Sequence, residues 1–177
     1  PGAFVHQGKP LDDAIARAAQ VKAGLGAVHL EQLASYGDPG RDPRGHVVSI
    51  TYLAIAPAPV LEATAADRDD LILAPLAVDW PDEEGGMAQA LDADGHPLRL
   101  AFDHAAILGD AVRRLRGKID YSPIGYAFLA PRFTLREVQE VHEAVLGRSL
   151  TKPAFRRKLL DRHDLRPTGT HETGGAF

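Results

Sequence analysis

Two stretches of this 177-residue chain concentrate side chains able to do chemistry. Arg41 and Arg44 flank Pro43 in a turn-rich segment, residues 35–46. A guanidinium presents planar, paired donors, so two arginines in one turn suit a diphosphate or a carboxylate. The alternative for the same residues is a surface turn held by Asp42. The second stretch is 148–166, where Arg148, Lys152, Arg156, Arg157, Lys158, Arg162 and Arg166 face only Asp161 and Asp164, a local charge of +5. Such density suits phosphate and base contacts on nucleic acid. Zero cysteines exclude disulfide scaffolding, thiolate catalysis and any thiolate-held metal. His6, His29, His46 and His96 lack metal-ligand spacing, so no metal and no cofactor is expected. Asp82-Glu83-Glu84 reads as a solvated acidic loop.

Charge divides the chain. The net value of −4 splits into −8 over residues 1–100 (7 basic, 15 acidic) and +4 over 101–177 (13 basic, 9 acidic). That asymmetry suggests two parts with different partners. With 45% hydrophobic residues the chain has material for one medium domain or two small ones. No apolar run approaches the ~20 residues that span a bilayer, and no signal-peptide pattern opens the chain, so a cytoplasmic protein without membrane contact is expected. Gly2–Val5 reads like the end of a strand entering a turn, and Gly174–Phe177 like half a hairpin. Both suggest a fragment.

The elements that must position these residues follow from periodicity. Leu11, Ala14, Ile15, Ala18 and Ala19 recur at helical spacing over 11–23, with Asp12 and Asp13 at the positive end and Gly24 where a C-terminal cap belongs. The β-branched, apolar run 47–56 predicts a buried strand, and Leu71–Val78 a further one. Residues 57–70 read as a loop or a short polar turn, and 81–99 as surface loop. From Asp103 as N-cap, apolar spacing predicts a helix to Gly117. Residues 124–130 are apolar before Pro131. Thr134-Leu135-Arg136-Glu137 is a capping box with Phe133 and Val138 as hydrophobic staple, opening a helix over 134–146 that Gly147 closes. Thr151 and Pro153 start another helix over 152–162. Helix, short turn and helix have helix-turn-helix proportions. If Phe155 and Leu159 are buried, ~100° per residue turns Arg157 most directly outward, and at most two of Arg156, Arg157 and Lys158 enter a groove together. A solvated basic helix in a bundle is the bland alternative.

Residues 3–25 resemble the Nudix box, G-x5-E-x7-R-E-U-x-E-E-x-G-U. Ala3 stands at the first Gly, Arg17 at the Arg, and Gly24-Leu25 at the end. Lys9, Ala18, Val21 and Lys22 stand where the pattern has glutamates. Glu31-Gln32-Leu33, Arg41-Asp42-Pro43-Arg44-Gly45 and the strand behind them resemble the ADP-ribose branch of that family. A Nudix hydrolase needs carboxylates to hold Mg²⁺, and lysines cannot replace them. The box retains its loop and helix without its metal ligands.

Leu100-Ala101-Phe102-Asp103-His104, Phe133-Thr134-Leu135-Arg136-Glu137-Val138-Gln139, Glu143–Gly147 and Phe155-Arg156-Arg157-Lys158 resemble the C-terminal half of the Nudix-related transcriptional regulators, the NrtR family. The resemblance covers nearly the whole chain. It implies an α/β Nudix-like domain, its first strands missing, over 1–118 with a linking helix at 103–117, then a winged helix-turn-helix over 119–177 whose wing starts at 166. It further implies a regulator without hydrolase activity, dimeric on a palindromic operator of double-stranded DNA, that senses an ADP-ribose-like nucleotide. Candidate ligand-binding residues are Arg17, Arg41 and Arg44; candidate DNA-binding residues are Lys152, Arg156, Arg157, Lys158 and Arg162. The rivals are a Mg²⁺-dependent hydrolase of the ADP-ribose pyrophosphatase type and a silent Nudix domain acting as a protein-interaction module.

Overall fold

A computed structural model of the chain describes residues 2–26, 28–80, 84–162 and 165–169. Helix α1 (Leu11–Ala23) buries its alanine face through Ala14, Ala18 and Ala19. It closes on Gly24 at φ +68°, with the Gly24 N–H donating to Gln20 O and the Leu25 N–H to Ala19 O, the paired bonds of a glycine-capped helix end. A Cβ on Gly24 would stand 2.7 Å from the Thr64 methyl, so the glycine also permits close approach of α2 (Ala58–Ala66).

Strands β1 (His29–Tyr36) and β2 (Ser49–Ile55) pair antiparallel. The register slips between Gln32 and Ala34, leaving Leu33 as the extra, buried residue. Side chains alternate faces along a strand, so Glu31 and Tyr36 would point to opposite sides of an unbroken β1. The bulge resets that alternation and turns both towards α3 (His104–Ile119). A minimal second ladder joins β3 (Leu76–Ala77) to β4 (Gln89–Ala90).

Helix α3 runs two residues beyond its expected end. Gly117 lies inside it, because Lys118 bonds Glu31 and Ile119, 1% exposed, sits in the core; these contacts outweigh the weak helix propensity of one glycine. Asp103 holds the N-cap position but makes no capping bond; its carboxylate accepts from Arg41 instead. The 57–70 expectation of a loop or short polar turn is corrected by α2, which buries no residue and so shows no apolar stripe. The 81–99 expectation is corrected in part, since β4 lies there and Ala88 and Ala90 are buried. Of the expected acidic loop, Asp82 and Glu83 lie outside the described residues, and Glu84 is exposed. Of the strand expected over 71–78 only two residues pair.

Residues 124–130 belong largely to a 3₁₀ helix, Pro123–Phe128, whose Ser122 cap accepts from the Ile124 N–H. Helix α4 (Leu135–Leu146) has the capping box: the Glu137 N–H donates to Thr134 Oγ1 at 3.1 Å and the Thr134 N–H to Glu137 Oε2 at 2.6 Å. Gly147 follows at φ +67°. Helix α5 is Lys152–Arg162. The turn between them is pinned by Glu143, whose Oε1 accepts from the Leu150 N–H at 2.7 Å and from Gln139 Nε2 at 2.9 Å.

Two apolar clusters result among the described residues. Ile55 of β2, Ile119 of α3 and Ile124 meet Leu115, Val141 and Val145. Val138, Phe155 and Leu159 meet Phe133, Tyr126 and Leu150. The first cluster runs without a break from the sheet through α3 to α4, so the expected division at 118 falls within a shared core. The expected wing start, 166–169, carries no regular element, and its continuation to 177 lies outside the described residues, as does the half-hairpin at 174–177. Gly2–Val5 form no strand.

Candidate functional site

An open cavity of about 810 Å³ lies between the loop after β1 and the segment leading into α3. Asp38, Gly40, Arg41, Arg99, Phe102 and Asp103 are among its lining residues. Arg41 is held fast in its wall. Its Nε and Nη2 donate to the two Asp103 oxygens at 2.8 and 3.0 Å, and Nη1 donates to Ser49 Oγ at 2.7 Å. The Arg41 side chain is only 8% exposed, and its guanidinium holds the Asp103 carboxyl below the usual carboxylate range. This arginine anchors the start of α3.

Arg44 takes the role that the turn alternative assigned it. Its Nε and Nη2 grip Asp42 at 2.9 and 2.8 Å, which draws the Asp42 carboxyl down to about 2. The side chain is 76% exposed, and its guanidinium carbon stands 5.2 Å from the centre of the Phe102 ring. Arg17 is exposed on α1 and does not line the cavity. Arg99, which periodicity never singled out, lines the cavity, is exposed, and has no hydrogen-bond or ion-pair partner among the described residues. Phe102 is the other residue that spacing could not show. It is the single non-glycine with positive φ, +53°, among the described residues, and its ring is half-exposed at the cavity.

Further ties fix α3 to β1 beyond the Arg41–Asp103 pair. Tyr36 Oη donates to Asp110 at 2.9 Å; burial, then that bond, push the Tyr36 hydroxyl up to about 12. Arg114 donates to Glu31 at 2.9 Å and to the Leu33 carbonyl at 2.8 Å. Lys118 reaches Glu31 at 2.6 Å and, with Arg114, holds its carboxyl low. On the opposite side, Arg116 lies over Trp80 at 4.5 Å and donates from Nε to the Val145 carbonyl of α4 at 3.0 Å.

The Nudix-box positions do not fit a magnesium ion. Lys9 and Val21 are exposed, Ala18 is buried, and the Lys22 amine donates to the Gly2 carbonyl. No carboxylate stands at any of the four, so these positions offer a hard cation no oxygen ligand from a side chain. Elsewhere, Asp92, Asp94 and His96 bring ligand atoms within 4.8 Å of one another. They are a turn, in which Asp92 Oδ1 accepts from the N–H groups of Asp94 and His96.

The second site is α5. Phe155 and Leu159 are buried against Val138, and the Phe155 ring meets His142 edge-on at 4.9 Å. Lys152, Arg156, Arg157 and Lys158 are exposed. With Phe155 and Leu159 inward, Arg157 points most directly outward, as the spacing predicts. Lys158 is drawn aside: its Nζ pairs at 2.7 Å with Asp120, the residue capping α3. Arg162 closes α5, and its side chain lies outside the described residues.

Residues 125–176, which hold both helices of this site, match the NrtR DNA-binding winged helix domain. Over 163 residues the chain is 34% identical to the ADPR responsive transcriptional repressor NtrR of Acinetobacter baylyi, a match to 91% of this chain and 59% of that protein. Residues 125–176 are an NrtR-type winged helix, and the chain as a whole is similar to the NrtR regulators. The crystal structure of Shewanella oneidensis NrtR complexed with a 27mer DNA superposes with a TM-score of 0.77 at 28% identity, over 98% of this chain and 74% of that one. A MutT/nudix family protein from Enterococcus faecalis matches at a TM-score of 0.66 and 25% identity, over 91% of this chain and 67% of that one. The ADP-ribose pyrophosphatase of Methanocaldococcus jannaschii is 31% identical over 117 residues, 66% of this chain and 58% of that protein. The chain therefore spans somewhat under two thirds of these curated relatives. The fold is the expected one, a mixed α/β Nudix-like part followed by the NrtR winged helix. No described helix is long and apolar enough to cross a membrane.

Proposed function

We propose that this chain is a ligand-responsive transcriptional regulator that binds double-stranded DNA through α4 and α5 and senses an ADP-ribose-type nucleotide through its Nudix-like part. The observation that carries the reading is the orientation of α5: a basic helix with Phe155 and Leu159 inward and Arg156 and Arg157 outward, within the segment that matches the family's DNA-binding domain. A helix so placed after a short glycine turn can enter a major groove, and its arginines can meet base edges or phosphates. The repressor relative is named as ADPR responsive, and a relative's structure holds DNA, which supports both halves of the reading. Residues 1–118 form the sensing part and 119–177 the DNA-reading part, with α3 shared between them. Two such heads on paired half-sites require a homodimer. A regulator of chromosomal genes acts in the cytoplasm.

The pyrophosphatase relative favours a hydrolase as second reading. That reading lacks ligands for its metal at Lys9, Ala18, Val21 and Lys22. The expected result is therefore no Mg²⁺-stimulated turnover of ADP-ribose above background; metal-dependent turnover by the pure protein would reverse the choice. For DNA binding the test is Arg157→Ala. Loss of a base contact costs about 1–3 kcal/mol at one position, whereas loss of a phosphate contact weakens all sequences and lowers the salt slope by about one. Unchanged affinity for specific and random duplex, with the fold intact, would remove α5 as the recognition helix.

A further inference from the structure

We propose that Arg116 is the positioning residue through which the sensing part sets the placement of the DNA-reading helices, joining Trp80 on one side to the C-terminal end of α4 on the other. The proposal rests on the regulator reading above and names the contact that carries its response.

Arg116 projects from α3 and is half-buried. Its guanidinium carbon stands 4.5 Å from the centre of the Trp80 ring, and its Nε donates to the Val145 carbonyl at 3.0 Å. Val145 lies in the last turn of α4, where a helix leaves its carbonyls without N–H partners of its own. The Glu143 carbonyl finds a partner in the Gly147 N–H at 2.8 Å, and the Val145 carbonyl finds Arg116. A cation there also meets the negative pole of the helix. A Cβ on Gly147 would stand 2.9 Å from Arg116 Nη2, so the guanidinium lies against the glycine that opens the turn to α5.

Trp80 leads back towards the sensing part. After it, residues 84–88 lie along α3. The Glu84 carbonyl accepts from Arg113, a Cβ on Gly109 would collide with the Gly86 carbonyl oxygen, and the Ala88 N–H donates to the Ala105 carbonyl at 3.0 Å. Gly86 packs on the indole, where a Cβ would stand 2.9 Å from Trp80 Cδ1. Positions 105, 109, 113 and 116 fall within about 80° of one another around α3, so Trp80 and 84–88 follow a single stripe of the helix. The stretch then enters β4, where the Ala90 carbonyl accepts from the Leu98 N–H at 2.7 Å, beside the run 99–103 in the cavity wall. A shift of that wall is therefore passed along α3 to the indole.

The indole is held by opposed effects. The guanidinium attracts the ring face, but Trp80 Nε1 is buried without a hydrogen-bond partner among the described residues. Attraction and an unpaired donor are of similar size, so a ligand with modest preference for one arrangement can shift the indole. Moving it frees the guanidinium from the ring that orients it over Val145 and Gly147. The coupling is thus lodged in a contact with two arrangements, which is what a response between distant sites requires.

The full chain carries its own reporter, since Trp80 is its single tryptophan. Calorimetry measures ADP-ribose binding, and anisotropy measures affinity for a duplex selected by the parent, with and without ADP-ribose. The parent should change duplex affinity about fivefold or more with ADP-ribose, and its Trp80 emission should change with it. Arg116→Ala should bind ADP-ribose within about twofold of the parent, still bind the duplex, and show an ADP-ribose effect below about twofold. Arg116→Lys keeps a cation and a donor and should recover part of the effect. Trp80→Leu, which leaves the Val145 bond in place, should uncouple like Arg116→Ala and serves if that variant does not fold. Trp80→Phe keeps a ring and should keep the effect. A purely structural role would lower thermal stability in Arg116→Ala and leave the ADP-ribose effect intact, which overturns the assignment. Loss of ADP-ribose binding itself, or a parent whose duplex affinity responds while Trp80 emission does not, overturns it too. If the parent and Arg116→Ala respond alike, the regulator stands and this role falls. If the parent's duplex affinity ignores ADP-ribose, the regulator reading falls and this role falls with it.

Discussion

Arg41 and Arg44 share one turn and end with different work, because a guanidinium serves whichever carboxylate the fold brings nearest. Asp42 is two residues from Arg44 and takes it; Asp103 is 62 residues from Arg41 and can meet it only after α3 docks on the sheet. The Arg41–Asp103 pair is thus a tertiary contact, and Asp103→Asn should cost about 1.5–3 kcal/mol in chemical denaturation, as for a charged hydrogen bond whose partner stays buried. The local Asp42–Arg44 pair needs no such docking, and Asp42→Asn should cost less. A common acid dependence follows. Asp103, Glu31 and Asp42 all have carboxyls depressed in the folded chain by Arg41, Lys118 and Arg44 respectively. A depressed folded value adds stability that is complete above the unfolded values, here 3.8 for Asp and 4.5 for Glu, and is lost as pH falls through the folded ones. The denaturation midpoint should therefore stay level from about pH 6 to 8 and fall below about pH 5. A midpoint that rose on acidification would contradict these pairings. The turn arginines were visible in the sequence as a chemistry; which of them was already engaged was not, since the partner of Arg41 is distant in sequence. Arg99 stood alone in a segment without periodicity, and only the cavity singles it out.

Helices with strong local signals were legible to within a residue or two. The capping box at Thr134 and the glycine at 147 bound α4 as expected, because both signals act within one turn of the chain. Thr134→Ala should lower stability by about 0.5–2 kcal/mol. Phe155→Ala should cost about 3–5 kcal/mol, because a buried ring is lost from between Val138 and His142. Thermal melts that ranked the cap above the ring would contradict this packing. β1 was hidden in His29–Tyr36 for a definite reason: the bulge at Leu33 breaks the two-residue alternation, and Glu31 on its inner face reads as polar until Arg114 and Lys118 are seen to meet it. α2 was missed because it buries nothing.

Across the whole molecule, α3 is the member that both ends share. Its first residues adjoin the cavity through Asp103, its middle is tied to β1 by Asp110, Arg114 and Lys118, and its cap Asp120 holds Lys158 of α5. A rigid helix with polar ties on one side and a shared apolar core on the other moves as a unit, so a ligand that favours one placement of α3 biases the placement of α5. The Asp120–Lys158 pair also withdraws one cation from the groove-facing set. Asp120→Asn should free it, tighten duplex binding and steepen the salt slope by about one; an unchanged slope would show that Lys158 gives DNA nothing even when released. The sequence carried the order of the two parts, their charge contrast and the outward turn of Arg157. It could not carry the continuity of the core through Ile55, Ile119 and Ile124, which joins residues far apart in the chain.

The most direct test of the central claim is fluorescence anisotropy on a duplex that the full chain itself selects from a random pool, titrated with and without saturating ADP-ribose. A ligand-responsive regulator should prefer the selected duplex to random sequence and change its affinity for it about fivefold or more when ADP-ribose is present. Equal affinity for selected and random duplex, or a selected-duplex affinity indifferent to ADP-ribose, would contradict it.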